Sequence, residues 1–170
     1  VACGACGRAA AMSQRGRRRL KEKSQAEYTA ATHCDGRHKR VTLAAALKAG
    51  CHTVMGDLIG GDASGDVNLP SLLYVLDDIS VEGNLELTSL AMPNLIHVGN
   101  DISVEDNPNL ASLTMNSLKS AWGITVTYND KLDTLTMPSL FCVDDLTVYP
   151  DPANCDLGPV YAGQDFNGFC

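Results

Sequence analysis

A mainly β solenoid is the fold this sequence predicts, and three observations carry it. The stretch from Asp78 to Tyr149 repeats itself: Ile79, Ile102, Ile124 and Leu146 follow one another at steps of 23, 22 and 22 residues. An Asn column (Asn84, Asn107, Asn129) and a Met column (Met92, Met115, Met137) keep the same step. Each coil also opens on an apolar, small polar, apolar triplet: Ile79-Ser80-Val81, Ile102-Ser103-Val104, Ile124-Thr125-Val126, Leu146-Thr147-Val148. That is the period-2 alternation of a strand with one buried face. Columns held in register over three turns define stacked repeats rather than an ordinary globular core.

Within a coil the first strand is followed by a second extended piece through Leu90-Ala91-Met92 and a third from Leu95 to Val98. Pro93 and Pro138 mark the bend between them, since proline supplies a fixed φ and no donor. Three short strands per turn predict a three-sided coil whose strands pair parallel to those of its neighbours at about 4.8 Å. Ile79, Val81, Leu87, Leu90, Met92, Leu95 and Val98, with their counterparts one coil on, are the predicted core. Ser80, Ser103, Thr125 and Thr147 point outward. A single coil cannot bury its own apolar face, so neighbours must supply backbone partners and shared core. The Asn column answers that need if each amide bonds to the backbone of the next coil. The other reading is surface turns that tolerate left-handed backbone; the ladder is the expectation here.

The chain has 170 residues, 45% of them hydrophobic, enough for one domain. Its charge is unevenly divided. Residues 1–40 hold ten Lys or Arg and three acids (10 − 3 = +7), and residues 41–170 hold three Lys and seventeen acids (3 − 17 = −14), which sum to the formal −7. Residues 1–33, with Arg8, Arg15, Arg17, Arg18, Arg19, Lys21 and Lys23, read as a basic disordered tail or processing segment. Residues 34–170 form the solenoid with its end caps. The tail carries no interleaved aromatics or binding motif, so no nucleic-acid partner is expected. No apolar run has the length of a membrane span, so no transmembrane segment is expected.

Seven cysteines is an odd number, so at least one is free or intermolecular. Cys3 and Cys6 form a lone C-x-x-C with no paired motif, and no metal or redox role is read from them. His33, Cys34, His38, Cys51 and His52 can be drawn as a zinc site; a disulfide between Cys34 and Cys51 is the preferred reading. Between those cysteines Thr42 is placed to cap a short helix, Leu43 to Lys48, which Gly50 ends. That helix would cover the open end of the solenoid, as terminal repeats must.

Cys34-Asp35-Gly36, a short helix, then Cys51-His52-Thr53-Val54-Met55-Gly56-Asp57-Leu58, followed by Leu-Pro-x-Leu-x-x-Val coils, resembles the receptor L-domain. This is the ligand-binding β-helix of insulin- and EGF-receptor-like ectodomains. The resemblance covers about residues 34 to 157. It implies a right-handed, leucine-rich parallel β-helix, here of about four to five coils, with disulfide-capped ends, an extracellular or cell-surface location and no catalytic residues. The expected staples are Cys34 to Cys51 and Cys155 to Cys170. Cys142, at an outward position equivalent to His97 and Ser120, competes for either carboxy-terminal partner.

The sequence departs from that pattern in two places. Leu58 to Leu69 spans 11 residues where later coils take 13 from Ile79 to Met92. The cluster Gly60-Gly61-Asp62-Ala63-Ser64-Gly65-Asp66 in this stretch reads as a flexible surface turn, since it lacks the ligand pattern of a calcium loop. After Leu146-Thr147-Val148 the register decays, and the chain to Cys170 reads as a closing cap.

Two function classes follow. The favoured one is a non-enzymatic recognition module, of ligand-binding or adhesion type, for a protein or glycan partner, with no cofactor or metal. Its candidate ligand-binding residues are Ser80, Glu82, Ser103, Glu105, Thr125, Thr127, Thr147 and Tyr149, outward on the first strands. The alternative is a carbohydrate-active parallel β-helix enzyme acting on polysaccharide. It would use acidic pairs one coil apart, Glu82 with Glu105 or Asp78 with Asp101, beside Asp145. A solvated acidic edge is preferred to that site, because no His or Arg stands on those strands to complete it. His97, outward on a third strand, reads as exposed and alone.

Overall fold

The computed structural model describes residues 33–34, 40–159 and 161–162. The basic tail, Cys3, Cys6, His38 and Cys170 lie outside the described residues. Alternating strands close into three parallel sheets that run side by side up a solenoid of about five turns. The first sheet is built from Arg40–Thr42, Asp57–Gly60, Ile79–Glu82, Ile102–Glu105, Gly123–Thr127 and Asp145–Tyr149. The second stacks Ser64–Asn68, Glu86–Ala91, Ser112–Thr114, Thr134–Thr136 and Asn154–Asp156. The third stacks His33–Cys34, Thr53–Val54, Tyr74–Val75 and His97–Val98, and single bridges through Ser120 carry it on to Cys142–Val143 and Tyr161–Ala162.

The register follows the repeat columns. Ile79 pairs with Ile102, Ile102 with Ile124, and Ile124 with Leu146. Because side chains alternate across a strand, that register puts every apolar residue of the triplets on the inner side. Ile79, Val81, Leu87, Leu90, Met92, Leu95 and Val98 are all fully buried, and so are their counterparts from Ile102 to Leu118. These columns form one continuous apolar core along the axis.

The Asn column is a ladder. Asn84 Oδ1 accepts from Ala63 N at 2.8 Å, Asn107 Oδ1 from Asn84 N at 3.0 Å, and Asn129 Oδ1 from Asn107 N at 3.1 Å. In the other direction the Nδ2 groups of Asn84, Asn107 and Asn129 donate to the carbonyls of Gly60, Val81 and Val104 at 2.6, 2.9 and 2.8 Å. All three side chains are buried, so each rung satisfies polar groups that water cannot reach. The residue before each rung is left-handed: Gly83 at φ 68°, Asp106 at 54° and Tyr128 at 55°. Both readings of the column thus hold parts of the truth, with the left-handed turn one residue earlier than the amide.

The helix spans Leu43–Ala49, one residue beyond the expected end. Ala45 N donates to Thr42 Oγ1 at 3.1 Å, and Gly50, at φ 61° and ψ 44°, closes it. Leu43 and Ala46 face the core. Gly60 lies directly beneath: a Cβ there would meet Leu43 Cδ1 at 2.5 Å, so a larger residue would make the Leu43 side chain shift where the cap seats on the first sheet. Cys34 and Cys51 are joined in a disulfide, with Cα atoms 5.5 Å apart. Both sulfurs are therefore committed, which removes the zinc reading of this region.

Two expectations need correction. Only Gly61 to Ala63 of the Gly60–Asp66 cluster form a surface turn: Gly60 ends a strand and Ser64–Asn68 pairs with Glu86–Ala91. Its shortness is absorbed at two points. Ala63, level with Asn84, is followed at once by Ser64, which pairs with Glu86, and a register shift between Gly65 and Asp66 passes over Thr88. The register also does not decay after Val148. Asn154–Asp156 pairs with Thr134–Thr136, which places Cys155 in the inward column opposite Leu135. Cys155, a disulfide-bonded half-cystine, stands there in place of leucine, partly buried against the core.

Candidate recognition face

The outward side of the first sheet presents the eight predicted residues in two columns. Ser80, Ser103, Thr125 and Thr147 pair in one, and Glu82, Glu105, Thr127 and Tyr149 in the other. Successive members lie one strand spacing apart, about 4.8 Å. Carboxylates on directly paired strands repel one another, and the hydroxyls of the companion column meet that cost. Ser80 Oγ donates to Glu82 Oε1 at 2.8 Å, and Ser103 Oγ to Glu105 Oε1 at 2.5 Å. Thr127 Oγ1 donates to Glu105 Oε2 at 3.0 Å. Both carboxylates are thereby held in fixed orientations.

Exposure is not uniform across the array. Glu82 and Tyr149 are open to solvent, while Ser80, Ser103, Glu105, Thr125 and Thr147 are half-buried. Thr127 departs from expectation: it is only 9% exposed and its hydroxyl is spent on Glu105. Thr127 positions a carboxylate rather than offering a contact of its own.

The neighbouring Asp column has a role that sequence reasoning missed. Asp101 N donates to Asp78 Oδ1 at 3.1 Å, and Asp78 N to Asp57 Oδ1 at 3.4 Å. These acids accept backbone donors from the following coil, so they are not simply a solvated edge. Among the described residues no group of three or more His, Cys, Asp or Glu is arranged to hold a metal.

Two aromatic rings flank the array. Tyr149 closes its lower column at 64% exposure, and Tyr128, on the adjoining corner, is 59% exposed. Tyr128 N donates to Tyr149 O at 3.0 Å, so the pair is stitched across neighbouring coils. A bulky residue in the left-handed region is uncommon and marks a position held by its surroundings. The signal was present in the sequence, since Tyr128 stands in the column of Gly83 and Asp106, immediately before the ladder Asn.

His97 belongs to a different face and is neither fully exposed nor alone. It is half-buried on the third sheet, with Nδ1 2.8 Å from Ser120 Oγ. Burial lowers its pKa below the ordinary histidine value, and a hydrogen bond to the Ser120 backbone partly opposes that shift. Cys142 follows Ser120 in the same column, as expected, and both Cys142 and Cys155 are disulfide-bonded. On the second sheet Asp66 accepts from Ser89 Oγ at 2.7 Å and Thr88 Oγ1 at 2.8 Å. These bonds, Ser89's first, lower the Asp66 pKa. The shallow groove of about 300 Å³ around Ile96 and Lys119 contains none of the eight residues. Among the described residues no helix is long and apolar enough to cross a membrane.

Comparison with family profiles, with curated proteins and with solved structures finds no match for this chain.

Proposed function

We propose that this protein is a non-enzymatic recognition module of the extracellular space or cell surface, binding a protein or glycan through the outward face of its first sheet. The observation that carries this reading is the pair Glu82 and Glu105, fixed on adjacent strands by the hydroxyls of Ser80, Ser103 and Thr127. A face whose side chains are ordered beforehand loses little entropy on binding. Tyr128 and Tyr149 add exposed amphipathic rings, a residue type enriched at interfaces. The disulfides at Cys34–Cys51, Cys142 and Cys155 fit an oxidising compartment. The resemblance to receptor L-domains points the same way.

The test is a screen of the purified protein against glycans, basic peptides and surface proteins, repeated with the double variant Glu82→Lys, Glu105→Lys. Binding that disappears in the variant supports this face. A ligand held unchanged at low and moderate salt moves the site elsewhere. Depolymerisation of an acidic polysaccharide by the purified protein would replace the module with a polysaccharide-cleaving enzyme.

A further inference from the structure

We infer that the basic amino-terminal segment of the chain docks on this same face, across Glu82, Glu105, Tyr128 and Tyr149, and so competes with any external ligand. The inference takes its choice of face from the recognition reading and needs no ligand to be tested.

The first argument is charge. Between Ile79 and Tyr149 the strands of the first sheet carry Glu82, Glu105 and Asp145 and no Lys or Arg. Asp78, Asp101 and exposed Asp106 border them. Arg40, on the sheet's first strand, is already spoken for: its Nε lies 3.7 Å from Asp57 Oδ2. The other faces differ. Lys131 Nζ bonds Asn109 Oδ1 at 2.6 Å on the corner leading into the second sheet, and Lys119 borders the third. The complementary charge is in residues 15–23, with Arg15, Arg17, Arg18, Arg19, Lys21 and Lys23 against Glu22.

The second argument is chemistry beyond charge. A guanidinium or ammonium group is attracted to the face of a tyrosine ring as well as to a carboxylate. Tyr128 and Tyr149 stand exposed on neighbouring coils beside the Glu column, so one cation can meet ring and carboxylate together. The second sheet carries acids on its outward side but no exposed aromatic residue on its strands.

The third is reach. Lys23 is 11 residues from Cys34, a separation that spans up to about 36 Å when extended. Cys34 sits at the amino-terminal end of the solenoid, and the six strands of the first sheet extend about 24 Å along it. Glu82 and Glu105 stand on the third and fourth of those strands, about 10 and 14 Å along the axis, which leaves most of the tether's length to cross from the third sheet to the first. A short tether holds its end at an effective concentration on the order of millimolar, enough for weak exposed ion pairs to persist at low salt.

Zero-length carbodiimide coupling of the full-length oxidised protein, followed by peptide mapping, tests this directly. Amide links from Lys21 or Lys23 to Glu82 or Glu105 are expected at low salt, unchanged in yield on dilution and suppressed in high salt. The triple variant Arg17→Glu, Arg18→Glu, Arg19→Glu keeps both lysines and should lower those yields about tenfold. Links only to acids of the other faces, such as Glu86, Asp133 or Asp144, or no links at all, would overturn the inference. Links that fade on dilution would instead assign the contact to a second copy and overturn it as an intramolecular one. An external ligand that fails to appear in the screen leaves these links unaffected, and missing links leave the face open to such a ligand.

Discussion

Asn107 Oδ1 accepts two hydrogen bonds from Asn84, one from its backbone N–H at 3.0 Å and one from its Nδ2 at 2.8 Å. One side-chain oxygen thus takes two donors from the coil before it, while Asn107 Nδ2 serves the Val81 and Glu105 carbonyls, each at 2.9 Å. Replacing Asn107 by Ala removes the buried partner of the Asn84 N–H and of the Val81 carbonyl, and one of the acceptors of Asn84 Nδ2. With roughly 1 to 3 kcal/mol for each buried group left unpaired, the variant should lose about 3 kcal/mol or more of unfolding free energy, read from urea denaturation. Loss within the range of an exposed substitution would mean the rung carries no weight.

Leu113 is fully buried between Leu90 and Leu135 in the second sheet. Leu113→Ala should cost about 2 to 5 kcal/mol from lost burial and the cavity it leaves. Leu113→Asp should prevent folding, because an unpaired charge between two coils has no partner in reach. Circular dichroism and thermal melting measure both, and an aspartate variant melting with the wild type would place Leu113 outside the core.

The Cys34–Cys51 bridge closes a separation of 17 residues around the capping helix. A loop of this size contributes about 3 kcal/mol by restricting the unfolded chain. Cys34→Ala with Cys51→Ala should lower stability by about that amount while the coils beyond Ile79 keep their hydrogen-exchange protection. Free thiols at both positions in wild-type protein taken from an oxidising compartment would contradict the bridge.

His97 makes stability fall on acidification. Its pKa in the folded protein lies below the ordinary value of 6.5, so as pH drops through that value the unfolded chain takes up the proton first. Where the unfolded state binds more protons, stability declines with falling pH. The decline begins near pH 6.5 and continues down through the folded-state pKa. Melting curves at pH 7.5 and 5.0 should show a smaller drop for His97→Asn than for the wild type. Equal drops would assign the acid sensitivity to other groups.

Most of the solenoid was legible because a strand with one buried face writes its register into alternate residues, and here the same triplet recurs four times. The elements that escaped notice are those where the inward residue is not a large aliphatic. Ser64–Asn68 hides behind glycines and aspartates, with Val67 as its buried anchor. Asn154–Asp156 carries Cys155 where earlier coils carry Leu, so the sequence pattern ends one turn before the stacked strands do. The Asp57, Asp78 and Asp101 bonds were invisible for a different reason: each partner lies 21 or 23 residues away, and nothing local distinguishes a carboxylate that accepts a backbone donor from one that faces water. The candidate face was legible as two columns, but the covering of Thr127 was not. Thr127 Oγ1 turns to Glu105 Oε2 at 3.0 Å, a contact between residues 22 apart that no local pattern announces.

Every rung of the Asn ladder reaches one coil and no further, and turns of different length are reconciled at the corners without disturbing the stacked columns. The molecule therefore carries its own rule for growth. A tandem copy of one coil, inserted anywhere between the caps, arrives with donors for the coil on one side and acceptors for the coil on the other. Such an event would widen the outward face by one row of side chains while leaving each existing row with the same neighbours. The extent of the surface and the identity of the residues displayed on it can thus change independently, one through duplication and the other through substitution at positions the core never sees.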